Sequence, residues 1–240
     1  MPNPYFKFKH FTVHQDSCAM KVCTDACVLG ATADVETAAH ILDIGTGTGL
    51  LALMAAQRAP TAYIEAVEVD ADAAAQATEN FQASPWASRL QLQAVSLQEY
   101  AARNPALFDH ILCNPPFFRN SLRSPDAART AARHTAPDTL PFSEIAAFAA
   151  QHLVAHGQLT VLLPPPEMQH FEREAAAAGL YAAHRLTLHH RASSRALRHI
   201  TSFERQPQPL EQQALAIHTE ASEAYSPAFR TLLQDFYLAF

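Results

Sequence analysis

Ile41-Leu42-Asp43-Ile44-Gly45-Thr46-Gly47-Thr48-Gly49-Leu50-Leu51 is an apolar run, three glycines at spacing two, and a second apolar run. It reads as a strand, a tight turn and the start of a helix. Glycines at 45, 47 and 49 permit φ > 0 and let a ligand approach the backbone, while the unpaired N–H groups that open the helix favour an anionic or polar group. Asp43 sits just before the turn, aimed at the carboxyl edge of the sheet. The third glycine follows after one residue rather than the two of G-x-G-x-x-G, which disfavours a nicotinamide dinucleotide. Working outward, the pattern predicts strands at His40–Ile44, Ala62–Val69, Arg89–Val95 and Phe108–Cys113, with helices at Leu50–Arg58 and Ala71–Ala83. Such alternation implies an α/β chain with a mostly parallel, doubly wound sheet flanked by helices.

Upstream, Phe6-Lys7-Phe8-Lys9 alternates at period two and predicts a short strand or hairpin. Thr24-Asp25-Ala26-Cys27-Val28-Leu29 reads as a helix start with Thr24 or Asp25 as N-cap. Residues 1–39 thus form a small N-terminal extension able to fold over a cofactor, and 40–240 the main domain. Downstream, a helix is expected at Ser143–His156 with Gly157 as its C′ residue. Strands follow at Gln158–Leu163, Leu180–His189 and Leu197–Phe203, with a helix at Glu167–Ala178 between the first two. A further strand and the short helix Pro227–Leu233 complete the chain.

The apolar content of 49% over 240 residues is ample for one core, and the longest apolar segments are too short and too interrupted to span a bilayer. Met1–Lys7 lacks the apolar core of a signal peptide, which predicts a cytoplasmic protein. Cys18, Cys23, Cys27 and Cys113 form no C-x-x-C pair, so neither a disulfide framework nor a zinc finger is read. The net charge of −6 excludes a generally basic coat, and only local clustering of cations can serve a nucleic acid. Arg119, Arg123, Arg129 and Arg133 lie in one loop with Asp126 as its only acid, placed to meet phosphates, and His134 beside them can stack on or hydrogen-bond a base. Arg185, Arg191, Arg195 and Arg198, among His189, His190 and His199, form a second candidate face. The histidines invite a metal, but no carboxylate or cysteine completes a ligand set at a recognisable spacing, and none is read. Oligomeric state is left at a monomer or weak dimer.

Two further positions carry chemistry. Glu68 lies 19 residues beyond Gly49 at the end of the next strand, where a carboxylate accepts hydrogen bonds from both hydroxyls of a ribose; Asp70 reads as the N-cap of the following helix. Together with the glycine turn this indicates an adenosine-containing ligand without a pyrophosphate. At the other end, Phe108–Cys113 runs into Asn114-Pro115-Pro116-Phe117. The two prolines stop the strand and hold an extended loop. Asn114 brings an amide oxygen, Pro115 a carbonyl without a competing N–H, and Phe117 a ring face, a set suited to a planar NH2 group.

With Asp43–Gly49, Glu68 and Asn114–Phe117 in order, the chain resembles the Rossmann-like class I S-adenosyl-L-methionine-dependent methyltransferases that modify exocyclic amines. Phe8-Lys9-His10-Phe11, Gln15–Val22 with Thr24-Asp25, Asn114–Leu122, Ala132-Arg133-His134-Thr135 and Asp235–Phe240 make it similar to the bacterial tRNA1(Val) adenine-N6 methyltransferases over nearly its whole length. The resemblance implies methyl transfer from S-adenosyl-L-methionine to N6 of the adenine 3′ of the anticodon, tRNA position 37. It also implies roles. Asp43, Gly45, Gly47 and Gly49 would hold the methionine and ribose parts, Glu68 the ribose hydroxyls, and Val69 one adenine face. Lys21, Thr24 and Asp25 would cover the methionine end. Asn114, Pro115, Pro116 and Phe117 would form the acceptor site, with Asn114 also touching the cofactor. Where related enzymes carry an Asp for the adenine amine this chain has Ser96, followed by Leu97, and Ser96 can accept only one weaker hydrogen bond. The same acceptor loop would also suit guanine N2 in ribosomal RNA, adenine N6 in DNA or a protein glutamine, and a non-catalytic module binding S-adenosyl-L-methionine and RNA is the reading from another class.

Overall fold

Branched and aliphatic residues in short runs, several of them closed by Gly, Pro or a capping Asp or Ser, give strands and helices in the expected alternation. The computed structural model describes residues 3–16, 21–116 and 140–240. Strands β1 (Tyr5–Lys7) and β2 (Thr12–His14) form an antiparallel hairpin, followed by helix α1 (Thr24–Thr32). The alternating unit comprises β3 (His40–Ile44), α2 (Leu50–Arg58), β4 (Tyr63–Val67), α3 (Ala71–Gln82), β5 (Leu90–Gln93), α4 (Leu97–Ala102) and β6 (Phe108–Cys113). After it come α5 (Phe142–His152), β7 (Leu153–Leu163), α6 (Pro165–Ala177), β8 (Tyr181–His189), β9 (Ala196–Glu204), β10 (Glu211–Ala216) and α7 (Pro227–Leu233).

The main sheet has the order β10-β8-β9-β7-β6-β3-β4-β5 and is parallel except for β9, which runs against both its neighbours. The chain leaves β3 toward β4 and β5 on one side and then returns to place β6 on β3's other side. That reversal opens a crevice beyond the carboxyl ends of β3 and β6, the place where open α/β sheets take ligands. Because β8 and β10 run parallel to β6, their carboxyl ends reach the same edge, as does the start of β9.

Strand alternation divides the core between the two sheet faces. Ile41 and Leu112 pack with the helices α1, α2, α3 and α7, whereas Leu42, Ile44, Ile111 and Cys113 pack with α4, α5 and α6. Asp43 therefore falls on the α2 face, which decides its partners.

Several expectations are corrected. Gly157 lies inside β7 instead of capping a helix: a Cβ there would come within 2.9 Å of the Phe108 carbonyl oxygen, so its role is close approach to β6 where the register shifts. Thr24 and Asp25 are not the N-cap of α1, since Cys23 takes that position without a side-chain bond. Helix α6 starts at Pro165 instead of the expected Glu167, consistent with the missing N–H groups of Pro165 and Pro166 costing nothing in a first turn. The six-residue α4 escaped the periodicity reading because it is too short to show one. Asp70 caps α3 as expected, accepting from the Ala73 N–H at 2.8 Å. Burial pushes the thiols of Cys23 and Cys27 up to about 12, in keeping with inert cysteines.

Candidate active site

The glycine turn is held by its own backbone and two carboxylates. Gly45 and Thr46 donate to the Val67 carbonyl at 2.9 and 3.1 Å, which ties the turn to the end of β4. Gly45, Gly47 and Gly49 have φ of 68°, 57° and 87°. They differ in surroundings. A Cβ on Gly49 would lie 2.5 Å from the Phe81 ring, whereas one on Gly45 or Gly47 would meet nothing within 4 Å. Gly49 is thus required by packing against α3, and Gly45 and Gly47 line open space.

Glu68, just past β4, accepts from the Gly47 N–H at 2.8 Å through Oε2 and from the Asp70 N–H at 2.9 Å through Oε1. Each oxygen keeps a lone pair, so the carboxylate remains able to accept two hydroxyls. Val69 follows it, 63% exposed at the sheet edge and so presenting a bare apolar face.

Asp43 is fully buried beneath the turn, its Oδ2 accepting from Thr46 Oγ1 at 2.5 Å and from the Ala52 N–H at 3.2 Å. Its Oδ1 is buried without a partner. Burial pushes the carboxyl up to about 7, with the Glu68 charge adding to the rise and the Thr46 and Ala52 bonds opposing it. Through Thr46 and Ala52, Asp43 ties the turn to the start of α2.

Ser96 opens α4. Its side chain caps α4, accepting from the Glu99 N–H at 3.1 Å, while the Glu99 carboxylate takes the Ser96 N–H at 3.0 Å and its hydroxyl at 3.1 Å. This capping box commits the Ser96 hydroxyl proton, leaves the hydroxyl oxygen one lone pair, and lowers the Glu99 carboxyl from its ordinary range through those bonds. The following Leu97 is buried in the core under α4.

Asn114 joins the turn through register. Ile44 pairs with Cys113, so Gly45 and Asn114 leave the sheet side by side on the α2 face. Asn114 is half-buried, Pro115 buried and Pro116 exposed. Phe117, Arg119, Arg123, Arg129, Arg133 and His134 lie outside the described residues.

Asn80, which sequence reasoning missed, links three segments. Buried in α3, it accepts from the His14 N–H and donates to the carbonyls of His14 and Thr48, all at 2.9 Å. The hairpin and the glycine turn are therefore fastened to one side chain. A polar residue one place before Phe81 on the Ala73–Ala77–Phe81 stripe of α3 is the signal that marks it.

At the start of α1, Asp25 accepts from Arg198 Nε at 2.9 Å, while Thr24 is half-buried and Lys21 exposed with Nζ 3.4 Å from the Asn3 carbonyl. Arg198 pairs with Asp25, Arg191 with Glu223 and Arg185 with Glu172, acids that the fold brings from distant sequence. Arg195 is exposed in the turn between β8 and β9. All but Arg185 stand at the carboxyl edge that carries Asn114.

Comparisons with known proteins agree with this geometry. Residues 18–165 match the model of the methyltransferase small domain family. Relatives named tRNA1(Val) (adenine(37)-N6)-methyltransferase are 44% identical over 241 residues in Dyadobacter fermentans and 42% over 238 residues in Phocaeicola vulgatus, in both cases covering 99% of this chain and 99% of the relative. A crystal structure of a predicted O-methyltransferase from Agrobacterium tumefaciens superposes with a TM-score of 0.66 at 21% identity, over 88% of this chain and 96% of that one.

A glycine turn with open space above it and an adjoining carboxylate, at the switch point of this sheet, define a class I methyltransferase whose cofactor is S-adenosyl-L-methionine. Within that class, the chain belongs to the tRNA1(Val) (adenine(37)-N6)-methyltransferase family.

Proposed function

We propose that this enzyme methylates N6 of adenine 37 of tRNA1(Val) at the crevice between Gly45 and Asn114. The observation that carries the reading is the pairing of Ile44 with Cys113, which sets a cofactor turn beside an amide acceptor. S-adenosyl-L-methionine supplies an electrophilic methyl group on a sulfonium. Gly45 and Gly47 leave room for it, Glu68 accepts the ribose hydroxyls, and Val69 covers one adenine face.

An adenine N6 lone pair is delocalised into its ring and is a poor nucleophile. Hydrogen bonds donated by its two N–H groups to the Asn114 side-chain oxygen and the Pro115 carbonyl localise that pair toward the methyl group. These acceptors then stabilise the positive charge that develops on nitrogen, so alignment and preorganisation supply the catalysis and solvent takes the proton afterwards. Pro116 holds the loop stiff, and Phe117 stacks on the base, worth ~1–3 kcal/mol by analogy with other base–aromatic contacts. A base in an anticodon loop is partly unstacked and costs little to extrude.

Phosphates are met by Arg119, Arg123, Arg129 and Arg133, with His134 at a base, and by Arg195 beside the paired Arg191 and Arg198. Residues 1–39 act as the cover of the cofactor site carried by 40–240, with Lys21, Thr24 and Asp25 toward the methionine end. Among the described residues no helix is long and apolar enough to cross a membrane. The enzyme works on its tRNA in the cytoplasm as a monomer or weak dimer.

The test is labelled S-adenosyl-L-methionine with total tRNA lacking the modification, followed by nucleoside analysis. N6-methyladenosine confined to a valine isoacceptor is expected, and Asn114→Ala should abolish it while leaving cofactor binding intact. Label in N2-methylguanosine, or full activity of Asn114→Ala, would overturn the assignment.

A further inference from the structure

The structure assigns a divalent transition-metal site to His190, His218 and Glu223, apart from the methyl-transfer crevice. The sequence showed neighbouring histidines without a carboxylate at a usable spacing. The fold supplies one.

Beyond their ends, β8 and β10 continue to pair: Ile217 donates to the His189 carbonyl at 2.9 Å and His218 to that of His190 at 3.0 Å. This sets the two imidazoles on adjacent backbones. The chain then doubles back, with Thr219 donating to the Ala224 carbonyl at 2.9 Å and His218 bridging Tyr225. Glu223 is thereby returned over both histidines. One ligand atom from each of the three residues lies within 4.8 Å of the other two. Zinc–nitrogen bonds of about 2.0–2.1 Å in a tetrahedron place donor atoms roughly 3.4 Å apart. Small rotations of the exposed His190 and Glu223 side chains close the difference.

The donor atoms are also prepared. His218 Nδ1 lies 2.8 Å from the Glu223 carbonyl oxygen, which can only accept, so the proton is on Nδ1 and Nε2 carries the lone pair. Its ring stacks on Tyr225 at 5.2 Å and 16°, which fixes its plane. Glu223 divides its oxygens: Oε1 takes Arg191, and Oε2 faces His190 Nε2 at 3.7 Å. Arg191 therefore orients the carboxylate without occupying the oxygen a metal needs, the outer-shell arrangement that metal ligands commonly use. Two imidazoles and one carboxylate suit a zinc-like ion over magnesium or calcium, and a three-ligand set leaves a coordination position open. The Arg191 charge opposes a divalent ion and limits affinity to a moderate value.

The test uses the full chain stripped with chelator and titrated with Co2+ and Zn2+. One saturable cobalt site is expected, with ligand-field bands of nitrogen and oxygen donors and no thiolate charge-transfer band, which separates it from any cysteine site. His190→Asn and Glu223→Gln, both surface changes, should each weaken it at least about tenfold. Zinc should raise the melting temperature of the parent chain and not that of the double variant. Equal metal affinity in parent and double variant, or no saturable cobalt binding by the parent, would overturn the assignment.

Discussion

Replacing Gly47 and Gly49 separately by alanine divides the glycine turn into a ligand cradle and a packing contact. Both residues hold positive φ, 57° and 87°. An alanine in that region costs about 1–2 kcal/mol, so each variant loses that much. At Gly49 the added methyl would also stand 2.5 Å from Phe81 Cε1. Carbon atoms settle at about 3.5–4.0 Å, so the ring must retreat by more than 1 Å. Phe81 is only 3% exposed and walled by the core, and overpacking of this kind adds about 1–3 kcal/mol. Gly49→Ala should therefore lose roughly 2–5 kcal/mol and Gly47→Ala only about 1–2. Cofactor affinity should behave in the opposite sense relative to stability. The methyl on Gly47 projects into open space, the place proposed for the cofactor, and should raise the cofactor Kd by tenfold or more, about 1.4 kcal/mol. Urea unfolding gives the stabilities and calorimetric titration with S-adenosyl-L-methionine the affinities. A Gly47→Ala enzyme with the parent Kd, or equal stability losses in the two variants, would refute the division.

Asp43 should make stability fall as pH rises. Its folded carboxyl is pushed up to about 7 from 3.8, so between those values the folded state holds a proton that the unfolded chain has released. Unfolding free energy therefore declines from about pH 4 to about pH 7, and Asp43→Asn should flatten that decline in urea melts taken across the range. A slope unchanged in Asp43→Asn would place its origin elsewhere. Asn80→Ala leaves the His14 N–H and the Thr48 carbonyl unsatisfied and should cost about 2–4 kcal/mol with weaker cofactor binding; a loss below 1 kcal/mol would show that the hairpin is not fastened there. Arg195→Ala should weaken tRNA binding and lower the slope of log affinity against log salt by about 1, and an unchanged slope would remove it from the footprint.

The candidate site was legible where consecutive residues constrain themselves. Gly45-Thr46-Gly47-Thr48-Gly49 announces a turn because its φ values exclude other residues, Asp70 announces a helix because its side chain reaches the N–H three residues on, and the run from Phe108 to Pro116 announces a strand that must stop. The Ser96 hydroxyl also serves a capping box, and Glu99 three residues on is the signal that marks it. Gly157 misled because a glycine after a helical pattern looks like a cap, while its use is to let β7 pass close to β6.

By itself the sequence determined the alternation of strand and helix, the glycine turn with Glu68 at the end of the next strand, and the Asn-Pro-Pro stop after β6, since backbone freedom and hydrophobic period act over a few residues. Only the tertiary structure decided what stands opposite what. The return of β6 beside β3 set Asn114 next to Gly45; Asp43 went under the turn because alternation aimed it at α2; Arg198 was claimed by Asp25 from 173 residues away. Glu223 reached His190 and His218 by the same means. Sheet register and the crossing of strands fix such partners, and neither is written in the spacing of the residues they join.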